Sequence, residues 1–210
     1  MNQLVIYVHG KDGSAQEAAR YRPLFPGQDV VGFDYRSRTP WEAREEFPAF
    51  ADPLLRQYDS VLLIANSIGA FLSMHALADR RIDRSFLISP IVDMEALIRS
   101  MMGWVGVTED VLRKRREIPT AFGETLSWNY LCYVRSHPLF WRIPTEILYG
   151  EKDTMTDRAA ITAFAERIGA GLTVMPGGEH WLHTEEQMAF LDSWLQEKTK
   201  APKGGAHHGL

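Results

Sequence analysis

The segment Ser60-Val61-Leu62-Leu63-Ile64-Ala65 constrains the fold of this chain more than any other. It is a short apolar run with almost no polar alternation. A strand of this kind is buried on both faces, as happens when helices cover both sides of a parallel sheet. Similar short runs, rich in Val, Ile, Leu and aromatic residues, recur at 3–9, 29–34, 84–89, 145–150 and 171–176. Between them, segments of helical period lie near 14–22, 40–57, 68–80, 156–169 and 183–198. In the last of these, Met188, Leu191, Trp194 and Leu195 share one helical face, and Thr184 with Gln187 has the spacing of a capping box. The alternation predicts an α/β fold: an open, mostly parallel six-stranded sheet with helices on both faces and right-handed crossovers.

One segment breaks the rhythm. Residues 91–143 are far longer than an ordinary connection between a helix and a strand and carry many methionine and aromatic residues, Trp104, Trp128 and Trp141 among them. The segment reads as a few helices inserted over the sheet, with most of these side chains forming its own core and a few available to line an apolar pocket. The expected organisation is therefore one domain over 1–198, with 91–143 as a helical cap insertion, followed by a disordered tail over 199–210.

Composition excludes several classes of function. Among 210 residues, 23 Lys and Arg stand against 27 Asp and Glu, a formal net charge of −4. That balance gives no electrostatic reason to expect nucleic acid or an anionic membrane as partner. Arg113-Lys114-Arg115-Arg116 is flanked by Glu109, Asp110 and Glu117 and reads as a solvated helix surface. Cys132 has no second cysteine to pair with and is expected to be a buried, inert thiol. The first strand begins at once, without a basic leader, and no apolar run approaches the roughly 20 residues of a membrane span. A soluble, cytoplasmic chain is the resulting expectation. No His, Cys, Asp and Glu cluster has metal-ligand spacing, and Gly10-Lys11-Asp12-Gly13 has the wrong spacing for a phosphate loop, so neither cofactor nor metal is expected. Oligomeric state is not encoded.

The chemistry-bearing residues fall just past the strand ends. The run at 60–66 leads into Ala65-Asn66-Ser67-Ile68-Gly69 and then a helical pattern, the strand–turn–helix setting of a nucleophile elbow. Positions two before and two after the serine must be small; they hold Ala65, where glycine is commoner, and Gly69. The first strand ends in His9-Gly10-Lys11-Asp12-Gly13. A glycine loop there can bring a backbone N–H to the same sheet edge, that of Lys11 first, Gly10 or Asp12 less so, although the glycines also suit a plain turn. Asp153 follows Tyr149-Gly150, and His180 follows Gly177-Gly178 before the last helix. Parallel sheets bind ligands beyond the carboxyl ends of their strands. Four loops thus deliver a serine, backbone donors, an acid and a histidine to one edge, in the order Ser…Asp…His. In that arrangement Ser67 is the nucleophile, His180 its general base and Asp153 the acid that orients the imidazole, with the N–H groups of Ile68 and Lys11 facing a developing oxyanion.

Other residues of the same types have plainer readings. Asp93, after the run at 84–89, is the rival acid. His9 orders its loop or packs, His75 is structural within a helix, His183 lies at the surface, and His137 precedes Pro138 in a loop.

From His9-Gly10 through Ser67 and Asp153 to His180-Trp181, the sequence resembles the α/β-hydrolase family over nearly its whole length. Asp34-Tyr35-Arg36-Ser37-Arg38-Thr39 resembles that family's loop after the second core strand but lacks its usual glycines, so no role is carried to it. The leading antiparallel strands of many members are absent. The resemblance implies a hydrolase fold with a cap after the fourth core strand and no defined substrate. A small carboxylic ester, thioester or amide is the expected substrate. Cofactor-free lyase or haloperoxidase chemistry on the same scaffold, and non-catalytic ligand binding, are the alternatives.

Overall fold

The computed structural model of the chain describes residues 2–200. Six strands form one parallel sheet: β1 (Gln3–Val8), β2 (Asp29–Phe33), β3 (Ser60–Asn66), β4 (Arg84–Ile88), and, after the long insertion, β7 (Thr145–Gly150) and β8 (Gly171–Met175). Their order across the sheet is β2-β1-β3-β4-β7-β8. The apolar run at 60–65 is therefore central and is buried along its length.

The alternating side chains of these strands feed two cores. Leu4, Ile6 and Val8 of β1 join Leu63, Leu87 and Ile147 on one face. There they meet Phe47, Ala51 and Leu55 of α1 (Pro40–Gln57), the apolar residues of α2 (Ser67–Ala76), and Ile161, Phe164 and Ala165 of α6 (Arg158–Ile168). Val5 and Tyr7 point to the other face with Ile64, Phe86 and Leu148. That face is covered by a 3-10 helix (Ala15–Leu24) and by Leu191, Trp194 and Leu195 of α7 (Glu185–Lys200). Helices on both faces of a mostly parallel sheet are the architecture expected from the sequence.

Local chemistry explains most boundaries. Thr39 accepts from the Glu42 N–H and Pro40 occupies the first helical position, so α1 starts where the sequence says it must. Thr184 and Gln187 make both halves of their box ahead of α7. The segment near 14–22 is a 3-10 helix rather than an α-helix; Pro23 removes a donor from its last turn. The helix after the elbow stops at Ala76, four residues short of the expected end.

Between β4 and β7 lie three helices, α3 (Met94–Trp104), α4 (Glu109–Arg115) and α5 (Trp128–Ser136). An antiparallel hairpin of two three-residue strands, β5 (Glu117–Pro119) and β6 (Thr125–Ser127), joins α4 to α5 and was not expected. Strands this short carry no readable period. Cys132 is half-buried and lines a shallow groove with Trp41 and Tyr133, contrary to the expectation of a buried thiol. It sits on the face of α5 that packs only partly against α1. Thr199 and Lys200 belong to α7, and the rest of the expected tail, 201–210, lies outside the described residues. Among the described residues no helix is long and apolar enough to cross a membrane, and no group of three or more His, Cys, Asp or Glu could hold a metal ion.

Candidate active site

The sharp turn from β3 into α2 leaves Ser67 at φ +50°, a left-handed conformation that costs a residue with a side chain about 1 kcal/mol or more and persists only where the surroundings impose it. Those surroundings are tight. Ala65 is fully buried, and a Cβ on Gly69 would lie 2.1 Å from the carbonyl oxygen of His9. A Cβ on Gly10 would lie 3.3 Å from that of Ser67. The loop after β1 therefore presses against the elbow, and its glycine brings the backbone beside the serine. Ile68 is the second residue of α2, so its N–H is among the four that a helix start leaves without an intrahelical partner. Lys11 follows Gly10 at an exposed turn, and its ammonium pairs with Glu124 at the tip of the β5–β6 hairpin.

Two loops at the far side of the sheet are fastened to each other. The N–H groups of Glu151 and Lys152 donate to the carbonyls of Met175 (3.0 Å) and Gly178 (2.7 Å), and the Gly177 N–H donates to the Glu151 carboxylate at 2.8 Å. A Cβ on Gly150 would sit 2.5 Å from the Glu179 carbonyl, so this register needs glycine there. The fastening brings Asp153 to His180. Asp153 Oδ2 lies 2.7 Å from His180 Nδ1, while Oδ1 accepts from the N–H groups of Met155 (2.8 Å) and Thr156 (3.2 Å). The carboxylate side chain is fully buried and both its oxygens are engaged, so its position is fixed. With Nδ1–H donating to Asp153, His180 Nε2 is left as an acceptor, and the Ser67 hydroxyl reaches it at 2.7 Å.

Ser67, His180 and Asp153 thus form one hydrogen-bonded chain above the carboxyl ends of β3, β7 and β8. The other candidates are engaged elsewhere. Asp93 caps α3, accepting from the Ala96 N–H at 2.9 Å. His9 donates from Nδ1 to the Gly10 carbonyl at 2.7 Å and stacks on Tyr35 with ring centroids 4.4 Å apart, holding the glycine loop rather than facing Ser67. His75 is buried between Phe71 and Tyr133. His137 stacks on Tyr133, and His183 lies at the surface stacked on the exposed Trp181. Of the insertion's tryptophans, Trp141 is buried and donates to Thr145 Oγ1 at 2.9 Å, Trp128 is half-buried, and Trp104 is exposed against Phe122.

Two features of the site are invisible in the motif itself. Tyr7 is buried beneath the glycine loop, with its hydroxyl donating to Glu17 at 2.5 Å. The signal available was physical: a tyrosine inside a buried strand needs a polar partner, and Ser14…Glu17 has capping-box spacing. A second left-handed serine, Ser89 at φ +43°, ends β4 beside the elbow; the Ile91 N–H just beyond it donates to the Ser67 carbonyl at 3.4 Å.

The profile of the α/β-hydrolase family matches residues 5–192. The chain belongs to the α/β-hydrolase family. Its similarity to a Mycoplasma genitalium protein carrying the name esterase/lipase 3 is 32% identity over 74 residues, covering 34% of this chain and about a quarter (26%) of that relative. Among solved structures it is similar to Est1E from Butyrivibrio proteoclasticus, with a TM-score of 0.76 at 20% identity over 94% of this chain and 87% of that one. It is also similar to mouse α/β-hydrolase domain-containing protein 10, with a TM-score of 0.72 at 15% identity over 93% and 89% of the two chains. At these identities the likeness is one of fold.

Proposed function

We propose that this α/β-hydrolase family member is a serine hydrolase that cleaves small carboxylic esters, or thioesters and amides by the same route, through an acyl-enzyme on Ser67. The observation that carries the reading is the unbroken chain from Ser67 Oγ to His180 Nε2 and from His180 Nδ1 to Asp153, each link 2.7 Å, on a serine held at positive φ.

Each residue has a defined task in this chemistry. His180 accepts the Ser67 proton as Oγ attacks the carbonyl carbon, and Asp153 stabilises the imidazolium without taking that proton. The N–H groups of Ile68 and Lys11 face the oxyanion, each such donor being worth about 3–4 kcal/mol of barrier. The tetrahedral intermediate collapses, the leaving group departs with the proton from His180, and the acyl group stays on Ser67. Water, deprotonated by His180, then attacks the acyl carbon and regenerates the hydroxyl. In this reading residues 91–143 act as the cap over the site and set which acyl and leaving groups fit.

The test is labelling by a fluorophosphonate probe together with turnover of p-nitrophenyl esters of increasing acyl length. Labelling at residue 67, and a loss of at least about 10³-fold in kcat for Ser67→Ala, are the expected results. A folded wild-type protein that is not labelled overturns the reading. Labelling without turnover of any ester, thioester or amide redirects it to another reaction on the same serine.

A further inference from the structure

The hydrogen bonds under the glycine loop form a connected set. Glu17, in the first turn of the 3-10 helix, uses both carboxylate oxygens: Oε1 accepts from the Ser14 N–H at 3.0 Å, and Oε2 accepts from the Tyr7 hydroxyl at 2.5 Å. Tyr7 is 1% exposed, at the end of β1 one residue before Val8 and the loop. The side-chain amide of Asn66 lies close to the same hydroxyl. Asn66 immediately precedes Ser67 and occupies the N-cap position of α2, where asparagine ordinarily accepts from a first-turn N–H. Here its side chain makes no such bond. It packs instead against the loop, with its Nδ2 3.7 Å from where a Cβ on Gly10 would stand. Gly13 closes the same contact from above, since a Cβ there would meet Glu17 Oε1 at 2.8 Å and His9 Cβ at 2.9 Å.

These contacts bring three pieces together: the elbow, whose Asn66 packs against Gly10, the end of β1 at Tyr7, and the far side of the glycine loop at Ser14 and Glu17. The two proposed oxyanion donors belong to two of these pieces, Ile68 to the elbow and Lys11 to the loop. A carbonyl oxygen gains from both only if their separation is held to a fraction of an ångström.

We propose that Tyr7 and Glu17, acting on Asn66 and Ser14, are positioning residues that set the distance between the Ile68 and Lys11 N–H groups. This inference rests on the hydrolase reading above. Neither side chain touches substrate. Each acts through the backbone it holds, so loss of either spoils the fit to the oxyanion while leaving ground-state binding intact.

The experiment compares Tyr7→Phe and Glu17→Ala with the wild-type full chain, each first checked for cooperative thermal unfolding. Measured quantities are kcat and KM for p-nitrophenyl acetate and the inhibition constant of a trifluoromethyl ketone, whose serine adduct carries the oxyanion. The expected result is a fall in kcat of about 10- to 100-fold with KM within about twofold, and a matching weakening of the ketone. A loss of packing alone would lower the unfolding temperature without this selective loss of the ketone. Should Tyr7→Phe fail to fold, the exposed Glu17 and the unused cap Asn66 (Asn66→Ala) test the same link. Folded variants with kcat and ketone affinity within twofold of wild type overturn the proposal alone. A wild-type chain that fluorophosphonate does not label overturns the hydrolase reading and this proposal with it.

Discussion

Position 69 admits only a hydrogen beyond its backbone. A methyl group there would stand 2.1 Å from the His9 carbonyl, and that oxygen belongs to main chain, which cannot rotate aside. Gly69→Ala is accordingly expected to push the glycine loop off the elbow, costing about 1–3 kcal/mol of stability and most of the fluorophosphonate labelling rate at Ser67. Gly103, in the last turn of α3, has open space around it. Gly103→Ala is expected to raise stability by about 0.4–1 kcal/mol without changing labelling. Thermal unfolding of the two variants, run side by side, checks both signs. At this scale the sequence was most informative where geometry restricts residue type: a small residue, a serine and a glycine at fixed spacing can be read directly. Tyr7 and Glu17 escaped because the need of a buried tyrosine for a polar partner and the capping-box spacing of Ser14 and Glu17 are separate signals, and only the 3-10 helix folding back over β1 joins them.

Among the elements, the six strands of the parallel sheet could be read to within a residue at each end, most plainly β3, where burial on both faces writes an unbroken apolar run, whereas β5 and β6 were too short to read. Helix limits were less legible where a proline or a turn, rather than a cap, ends them, as at Pro23 and after Ala76. The contact of α1, α2 and α5 shows a consequence of packing that periodicity alone does not reveal. His75 of α2 packs against Phe71 and Tyr133, with the positive charge of Arg44 and the imidazole of His137 near enough to act on it. Burial, reinforced by Arg44 and His137, lowers its pKa to about 4, so the folded state resists the imidazolium. The unfolded chain binds a proton near the ordinary value of about 6.5, whereas the folded chain does not until about pH 4. Stability contributed by neutral His75 is therefore present above pH 6.5 and is lost as pH falls through that window, by up to roughly 3 kcal/mol. Urea unfolding at pH 7 and pH 4.5 is expected to show this decline in the wild type and a smaller one in His75→Gln. Equal declines would assign it to other groups.

Across the whole molecule, the serine, acid and base follow one another along the chain in the order the sequence displayed, but their spatial roles depend on strand order. Ser67 leaves β3, an interior strand flanked by β1 and β4. His180 follows β8, which among the described residues pairs only with β7 and is half-exposed over most of its length. α7 packs against β8 through Trp194, whose indole donates to Thr173 at 3.2 Å, and is itself tied to β4 through Arg84, which donates to the Lys198 carbonyl. Border strands and terminal helices exchange their amide hydrogens through partial openings well below the free energy of complete unfolding. Exchange in β8 and α7 is therefore expected to outpace exchange in β3. Catalytic turnover is expected to fade on warming several degrees before the far-ultraviolet signal collapses; coincident loss of the two would contradict this. The proposed nucleophile sits on an interior row of the sheet and its proposed proton acceptor beside an outer one, so mild heat is expected to silence such a molecule before it melts it.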